Sequence, residues 1–133
     1  MNYFLDANIC TYYLKGINEN IKNNLLTKHP DNIKIPSIVK AELLYGAEKS
    51  KKRDENIEKV IGFLSPFEIV SFGNAETYKY SKLRAKLEKE GNVIGPNDLL
   101  IASTVLANDG ILVTNNINEF NRIKKLKIEN WLE

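Results

Sequence analysis

The chain has 133 residues, 43% hydrophobic and 27% charged, with aromatic residues spread along its length, a composition that fits one folded domain and excludes a disordered segment. A formal charge of only +2 means that the overall field cannot argue for a nucleic-acid partner, so local clusters must carry that argument. The lone Cys10 excludes an internal disulfide, no apolar run is long enough to span a bilayer, and the apolar stretch ahead of Asp6 is too short for a signal peptide; the address these features imply is cytoplasmic.

Tyr3 to Leu5 read as a short strand closed by Asp6-Ala7-Asn8, and Ile9, Tyr12 and Tyr13 then follow at helical spacing up to a stop at Gly16. Ile21, Leu25 and Leu26 mark a second helix, broken at His29-Pro30-Asp31-Asn32, and Ile33, Ile35 and Pro36 mark a second strand and its exit. Ser37 is the expected N-cap of a helix carrying Ile38, Val39, Leu43, Leu44 and Ala47, although Lys40 denies it a full capping box. The basic run Lys49 to Arg53 leads to a helix with Ile57, Val60, Ile61 and Leu64 on its inner face, closed by Ser65-Pro66.

Phe67 to Phe72 form a third strand, and Glu76 to Lys89 a long charged helix with Tyr80, Leu83 and Leu87 inward. Gly91 and Gly95-Pro96 punctuate the chain before an apolar helix from Leu99 to Ala107, a buried-type strand at Ile111 to Val113 and a last strand at Ile128 to Leu132. Strands separated by helices predict a parallel sheet covered on both faces, so residues 1–133 read as a single three-layer α/β domain.

Polar signals stand directly against these apolar segments at Asp6, Glu42, Asp98 and Thr114-Asn115-Asn116. Asp6 and Thr114 to Asn116 fall at the carboxyl ends of two strands, the edge where parallel sheets collect ligands. Each carboxylate also has a structural explanation. Asp6 can cap a helix, Asp98 follows Pro96 at a helix start, and Glu42 can pair with Lys49. Glu42 nevertheless has Ile38, Val39, Tyr45 and Gly46 as its helical neighbours, where an unpaired charge is costly. Asp98 heads a stripe continued by Ile101, Ala102 and Val105. Carboxylates brought together raise one another's pKa unless a divalent cation compensates them. An all-oxygen set suits magnesium or manganese rather than zinc, and His29 and Cys10 have no metal-ligand spacing.

The spaced set Leu5-Asp6-Ala7-Asn8, Ala41-Glu42-Leu43-Leu44-Tyr45-Gly46, Ile94 to Ala102 and Leu112 to Asn116 resembles the PIN-domain ribonucleases, and within them the VapC toxins of bacterial type II toxin-antitoxin modules. The likeness extends to Asn118-Glu119-Phe120 and Ile128 to Trp131, so it covers nearly the full length. It implies a PIN-like fold on a five-stranded parallel sheet, magnesium-dependent endoribonuclease activity, a cognate antitoxin and a homodimer, or a hetero-oligomer with the antitoxin. It also implies transfer RNA as substrate, cut in the anticodon stem-loop.

By position, Asp6, Glu42 and Asp98 match the acidic metal site of that family, while Asn116 falls where many PIN domains have a fourth acid. Glu119, one helical turn later, is placed to supply the missing charge, and Asn116 then either holds a metal-bound water or shapes a turn. Hydrolysis by a metal-activated water would leave a 5′-phosphate and a 3′-hydroxyl. A metal-free route through the 2′-hydroxyl needs a histidine pair, and His29 is the only histidine.

For gripping RNA, Lys49, Lys51, Lys52 and Arg53 form one basic stretch, and Lys79, Lys82, Arg84, Lys86 and Lys89 another, although such runs are commonly solvated faces. Arg84 borders an inward stripe and is expected to point toward the acids or to pair with a carboxylate. Tyr12, Tyr13, Tyr45 and Tyr78 are available for base stacking, with core packing the default for most. Two alternatives compete with the nuclease: a catalytically silent PIN domain that binds RNA or protein, and a receiver-type phosphoacceptor domain. The receiver pattern pairs acids after the first strand and places a lysine after a late one, whereas here Asp6 stands alone and Asn115-Asn116 occupies the later position.

Overall fold

The computed structural model describes residues 1–133. Five parallel strands form one sheet: β1 (Tyr3–Leu5), β2 (Ile33–Pro36), β3 (Glu68–Val70), β4 (Ile111–Val113) and β5 (Lys127–Glu129), in spatial order β3-β2-β1-β4-β5. Seven α-helices surround it: α1 (Ala7–Lys15), α2 (Glu19–Thr27), α3 (Ser37–Glu48), α4 (Arg53–Leu64), α5 (Asn74–Glu90), α6 (Pro96–Ala107) and α7 (Ile117–Phe120).

Burial of successive strand residues shows that both faces of the sheet are covered. Neighbours on a strand point to opposite faces, and Phe4 and Leu5 on β1, like Leu112 and Val113 on β4, are at most 1% exposed. Helix α6 is buried nearly all round, with Ile101 to Val105 all sealed; its Ser103 and Thr104 hydroxyls donate back to the Leu99 and Leu100 carbonyls at 2.7 and 2.8 Å. A close approach between elements fixes Gly110, since a Cβ there would overlap the ring of Phe4.

The chain runs outward from β1 through β2 to β3, then returns to the other side of β1 for β4 and β5. The sheet therefore changes direction between β1 and β4, whose carboxyl ends flank the crevice favoured for ligands in open α/β sheets. Leu5 is registered with Val113, so Asp6 and Thr114 are the next residues along these two strands. The order also separates the fold from a receiver domain, in which β1 lies between β2 and β3.

Three details depart from the reading by periodicity. Ser37 is the first residue of α3, not its cap, and its hydroxyl accepts from the Phe72 amide at 3.3 Å, tying the exits of β2 and β3 together. Ile61 faces solvent at 54% exposure, because α4 is a surface helix whose inner stripe is narrower than its hydrophobic pattern. The last strand stops at Glu129, and Trp131 instead packs its ring 5.6 Å from that of Tyr3. Tyr12 and Tyr13 are half-buried against the core, while Tyr45 and Tyr78 are exposed.

Candidate active site

Asp6 is positioned more tightly than any other acid of the site. It caps α1, with Oδ1 accepting from the Ile9 amide at 3.0 Å, and its own amide donates to the Val113 carbonyl at 3.1 Å. Oδ2 accepts from the Thr114 hydroxyl across the β1–β4 crevice. The carboxylate is only 5% exposed. Burial pushes its pKa up, and the bonds from Thr114, Ile9 and Asn8 only partly offset this. Capping and site membership are thus one geometry, not alternatives.

Glu42 lies mid-helix on α3 and forms no bridge to Lys49, whose ammonium sits 4.9 Å from the ring centroid of Tyr45. Glu42 Oε1 is buried without any hydrogen-bond partner. Burial and then the charge of Asp6 raise its pKa. A carboxylate oxygen kept from water with nothing to bind is costly, and the cost is removed by a proton or a cation.

Asp98 occupies the first turn of α6, begun by Pro96, and Glu119 reaches it from α7. Asp98 has its pKa pushed up to about 7, first by burial, then by a hydrogen bond and repulsion from Glu119, and further by Asp6 and Glu42. Glu119 moves the other way. Although burial opposes it, the Gly95 amide at 2.7 Å, the bond to Asp98, the Asn116 amide group at 2.6 Å and the charge of Arg122 hold its pKa below the usual value. The two carboxyls are thus coupled, Asp98 shifted upward and Glu119 downward.

Asn116 adds no charge to this set. Its amide donates to the Thr114 hydroxyl at 3.0 Å while its side chain orients Glu119, so it shapes the turn and aims the acid that follows. Thr114 is fully buried and links Asp6 to that turn.

The basic residues named from the sequence are placed differently. Lys51 and Lys52 are exposed on the turn between α3 and α4. Arg53 is committed to Glu48 through two bonds of 2.6 and 2.7 Å and to Asp54 at 2.5 Å. Arg84 donates to the Tyr80 hydroxyl at 3.0 Å and stands 3.7 Å from Glu88, so it pairs with a carboxylate as expected, but not with one of the four acids. It does not turn toward the acidic rim because it is held on the exposed face of α5. The cations the sequence left unremarked, Lys15 and Lys59, line a groove of about 670 Å³ that reaches Glu42 past Asn8, Thr11 and Ser50. His29 only caps the turn at Pro30–Asn32, accepting from the Asp31 amide, and Cys10 is a buried core thiol.

Four carboxylates from four different segments thus meet at the switch point of a parallel sheet, coupled strongly enough to shift one another. As they stand, no three close around a common point. The unpaired Glu42 oxygen and the raised pKa values of Asp6, Glu42 and Asp98 are what a cation would relieve, so the all-oxygen donor set fits a hard divalent metal.

This chain belongs to the PIN domain family, whose pattern matches residues 3–126. Nucleases of this family generally depend on a divalent metal. Within it, the chain is 49% identical over 132 residues to Ribonuclease VapC2 of Rickettsia felis, covering 98% of each protein. It is 34% identical over 131 residues to the tRNA(fMet)-specific endonuclease VapC of Salmonella typhimurium, again covering 98% of each. The crystal structure of VapBC2 from Rickettsia felis bound to a DNA fragment from their promoter contains a chain that superimposes with a TM-score of 0.91, covering 98% of this chain and 99% of that one.

Proposed function

We propose that this chain is a ribonuclease toxin of the VapC kind, the nuclease of a toxin-antitoxin module, hydrolysing RNA phosphodiester bonds at the four-acid site. The observation that carries the reading is the buried, unpartnered Glu42 Oε1 beside Asp6 and Asp98, a site incomplete without a cation. In this reading, residues 1–133 act as one domain in the cytoplasm, assembled as a homodimer or with a cognate antitoxin. Relatives crystallised as VapBC complexes support the antitoxin. The substrate is transfer RNA, supported by the name of the Salmonella relative.

Asp6, Glu42 and Asp98 would hold magnesium, with manganese as a substitute. When bound, the metal lowers the pKa of a water in its shell and offsets charge on the scissile phosphate. Asp6, fixed by Thr114 and the start of α1, cannot swing and is the anchor of the set. Asp98 would act as a ligand in its ionised form, which a pKa of about 7 makes accessible near neutral pH. Glu42, unengaged by protein, orients the attacking water from the groove side. No histidine pair is at hand to run the reaction through the 2′-hydroxyl, so the products carry a 5′-phosphate and a 3′-hydroxyl.

Incubation of bulk transfer RNA with the purified protein and magnesium tests this. Cleavage is expected to stop with a chelator and in Asp6→Asn and Asp98→Asn variants whose circular dichroism is unchanged. Undiminished cleavage by both variants would overturn the assignment. Sequencing the fragments' 5′ ends gives the bond that is cut. The silent-domain reading predicts binding without cleavage, and nothing in the acid set favours it, since Glu119 supplies the fourth carboxylate that Asn116 lacks.

A further inference from the structure

A second cleft, of about 170 Å³, opens between α5 and the segment that follows α7. Lys79, Lys82 and Lys86 line one wall, and Arg122, Lys124 and Lys125 the other. The three α5 lysines lie at positions i, i+3 and i+7 and so share one face of the helix, spread over about 10 Å. Six cations face a single glutamate, Glu90, which leaves a local excess of five positive charges on a chain whose total is +2.

The lysine charges are not spent within the protein. None of the five lysines lies within ion-pair distance of an acid, whereas Lys34, Arg53, Lys59 and Arg84 all do. The floor is apolar, formed by Leu83, Leu87, Leu106 and Ile123, which lets the lysine stems lie flat with their ammonium groups at the rim. Arg122 joins the cleft to the active site. It donates to the Val93 carbonyl at 2.6 Å, two residues before the Gly95 amide that holds Glu119, and it stands one helical turn after Glu119 itself.

We propose that this cleft is a second RNA-binding surface, gripping the phosphate backbone of a folded substrate at a distance from the bond that is cut. The proposal rests on the ribonuclease reading above. Lysines drawn from two separate elements, unpaired and continuous with the acid site through Arg122, match a polyanion that passes the site and continues along α5. An acidic segment of a protein partner is the competing occupant.

The test uses the full chain and a variant carrying Lys82→Gln, Lys86→Gln and Lys125→Gln, all exposed positions whose replacement leaves the core untouched. Binding is read by fluorescence anisotropy in chelator with unfractionated transfer RNA, and cleavage is read separately on transfer RNA and on a short single-stranded oligonucleotide. With each lost contact contributing roughly 0.7 to the log–log salt slope, three lost contacts flatten the slope by about 2 and weaken binding about 100-fold at 0.1 M salt. The KM for transfer RNA rises in step, with kcat and oligonucleotide cleavage unchanged.

Transfer RNA affinity and salt slope equal to those of the unmodified chain would overturn the cleft, as would loss of antitoxin binding with RNA binding intact. If the unmodified chain binds RNA through these lysines but cuts neither substrate, the ribonuclease reading fails while the cleft stands. If it neither binds nor cuts, both fall.

Discussion

Replacing Asp98 by asparagine should stabilise the metal-free protein while destroying its activity. In the free site Asp98 is half-buried beside Glu119, with Asp6 and Glu42 adding to the field, and its pKa rises from 3.8 to about 7. A carboxyl whose folded pKa exceeds its unfolded one binds its proton more tightly in the folded state. Its contribution is therefore favourable below about pH 4 and is progressively lost as the pH climbs through 7. A rise of that size is worth roughly 4 kcal/mol for a group sealed from water. Asp98 is only half-buried, so solvent screening reduces the expected figure to about 1–2 kcal/mol.

Asparagine keeps the shape and carries no charge beside Glu119. In chelator, Asp98→Asn should exceed the unmodified protein by at most about 0.5 kcal/mol at pH 4 and by about 1–2 kcal/mol at pH 8, the latter roughly 3–8 °C in Tm for a chain of this size. Thermal circular dichroism at the two pH values reads this. Magnesium should raise the Tm of the unmodified protein at pH 8 and leave the variant nearly unmoved, since a ligand stabilises only the state that binds it. A variant less stable at pH 8 than the unmodified chain, or equally stabilised by magnesium, would refute the reasoning that the acids are strained for want of a cation.

Thr114→Val removes the donor to Asp6 and the acceptor for the Asn116 amide without changing shape; stability measured in urea should fall by about 1–3 kcal/mol and RNA cleavage by roughly 10–100-fold. Asn116→Asp places a further carboxylate at hydrogen-bond range of Glu119, so the metal concentration for half-maximal cleavage should drop, while the chelated protein melts lower at pH 8 than at pH 5. Gly110→Ala drives a methyl into the buried Phe4 ring, costing about 1–3 kcal/mol in a urea titration, with cleavage by the folded fraction unchanged.

The sheet and the three leading acids were legible because short apolar runs ended by a carboxylate leave few physical options. Asp6, Glu42 and Asp98 each sit against residues that could not be solvated, and that conflict shows in the linear chain. What Thr114 does was hidden, since its bond to Asp6 spans 108 residues and depends on β1 lying beside β4. Glu119 was identified only as a reserve, because α7 is a single turn too short to announce itself by periodicity. The face of α4 was misjudged at Ile61 for a related reason: an apolar residue at helical spacing does not reveal how wide a stripe the neighbours cover. The lysines of α5 are a solvated face, as such runs commonly are, and their sharing of a cleft with the Arg122–Lys125 segment could not be read from the linear chain.

The four acids are unequal in a way that follows from where each is attached. Asp6 belongs to the junction of β1 and α1 and is held by backbone and by Thr114, so its position does not depend on a ligand. Asp98 and Glu119 are coupled to each other, and Glu119 is held besides by the Gly95 amide and the Asn116 side chain. Glu42 is held by nothing, and it is also the acid that lines the groove where Lys15 and Lys59 stand. Preorganisation is therefore greatest on the sheet side and least on the side open to solvent. In the proposed reading, a site built this way would hold the metal from its sheet side and leave Glu42 free to adjust to what enters from the groove.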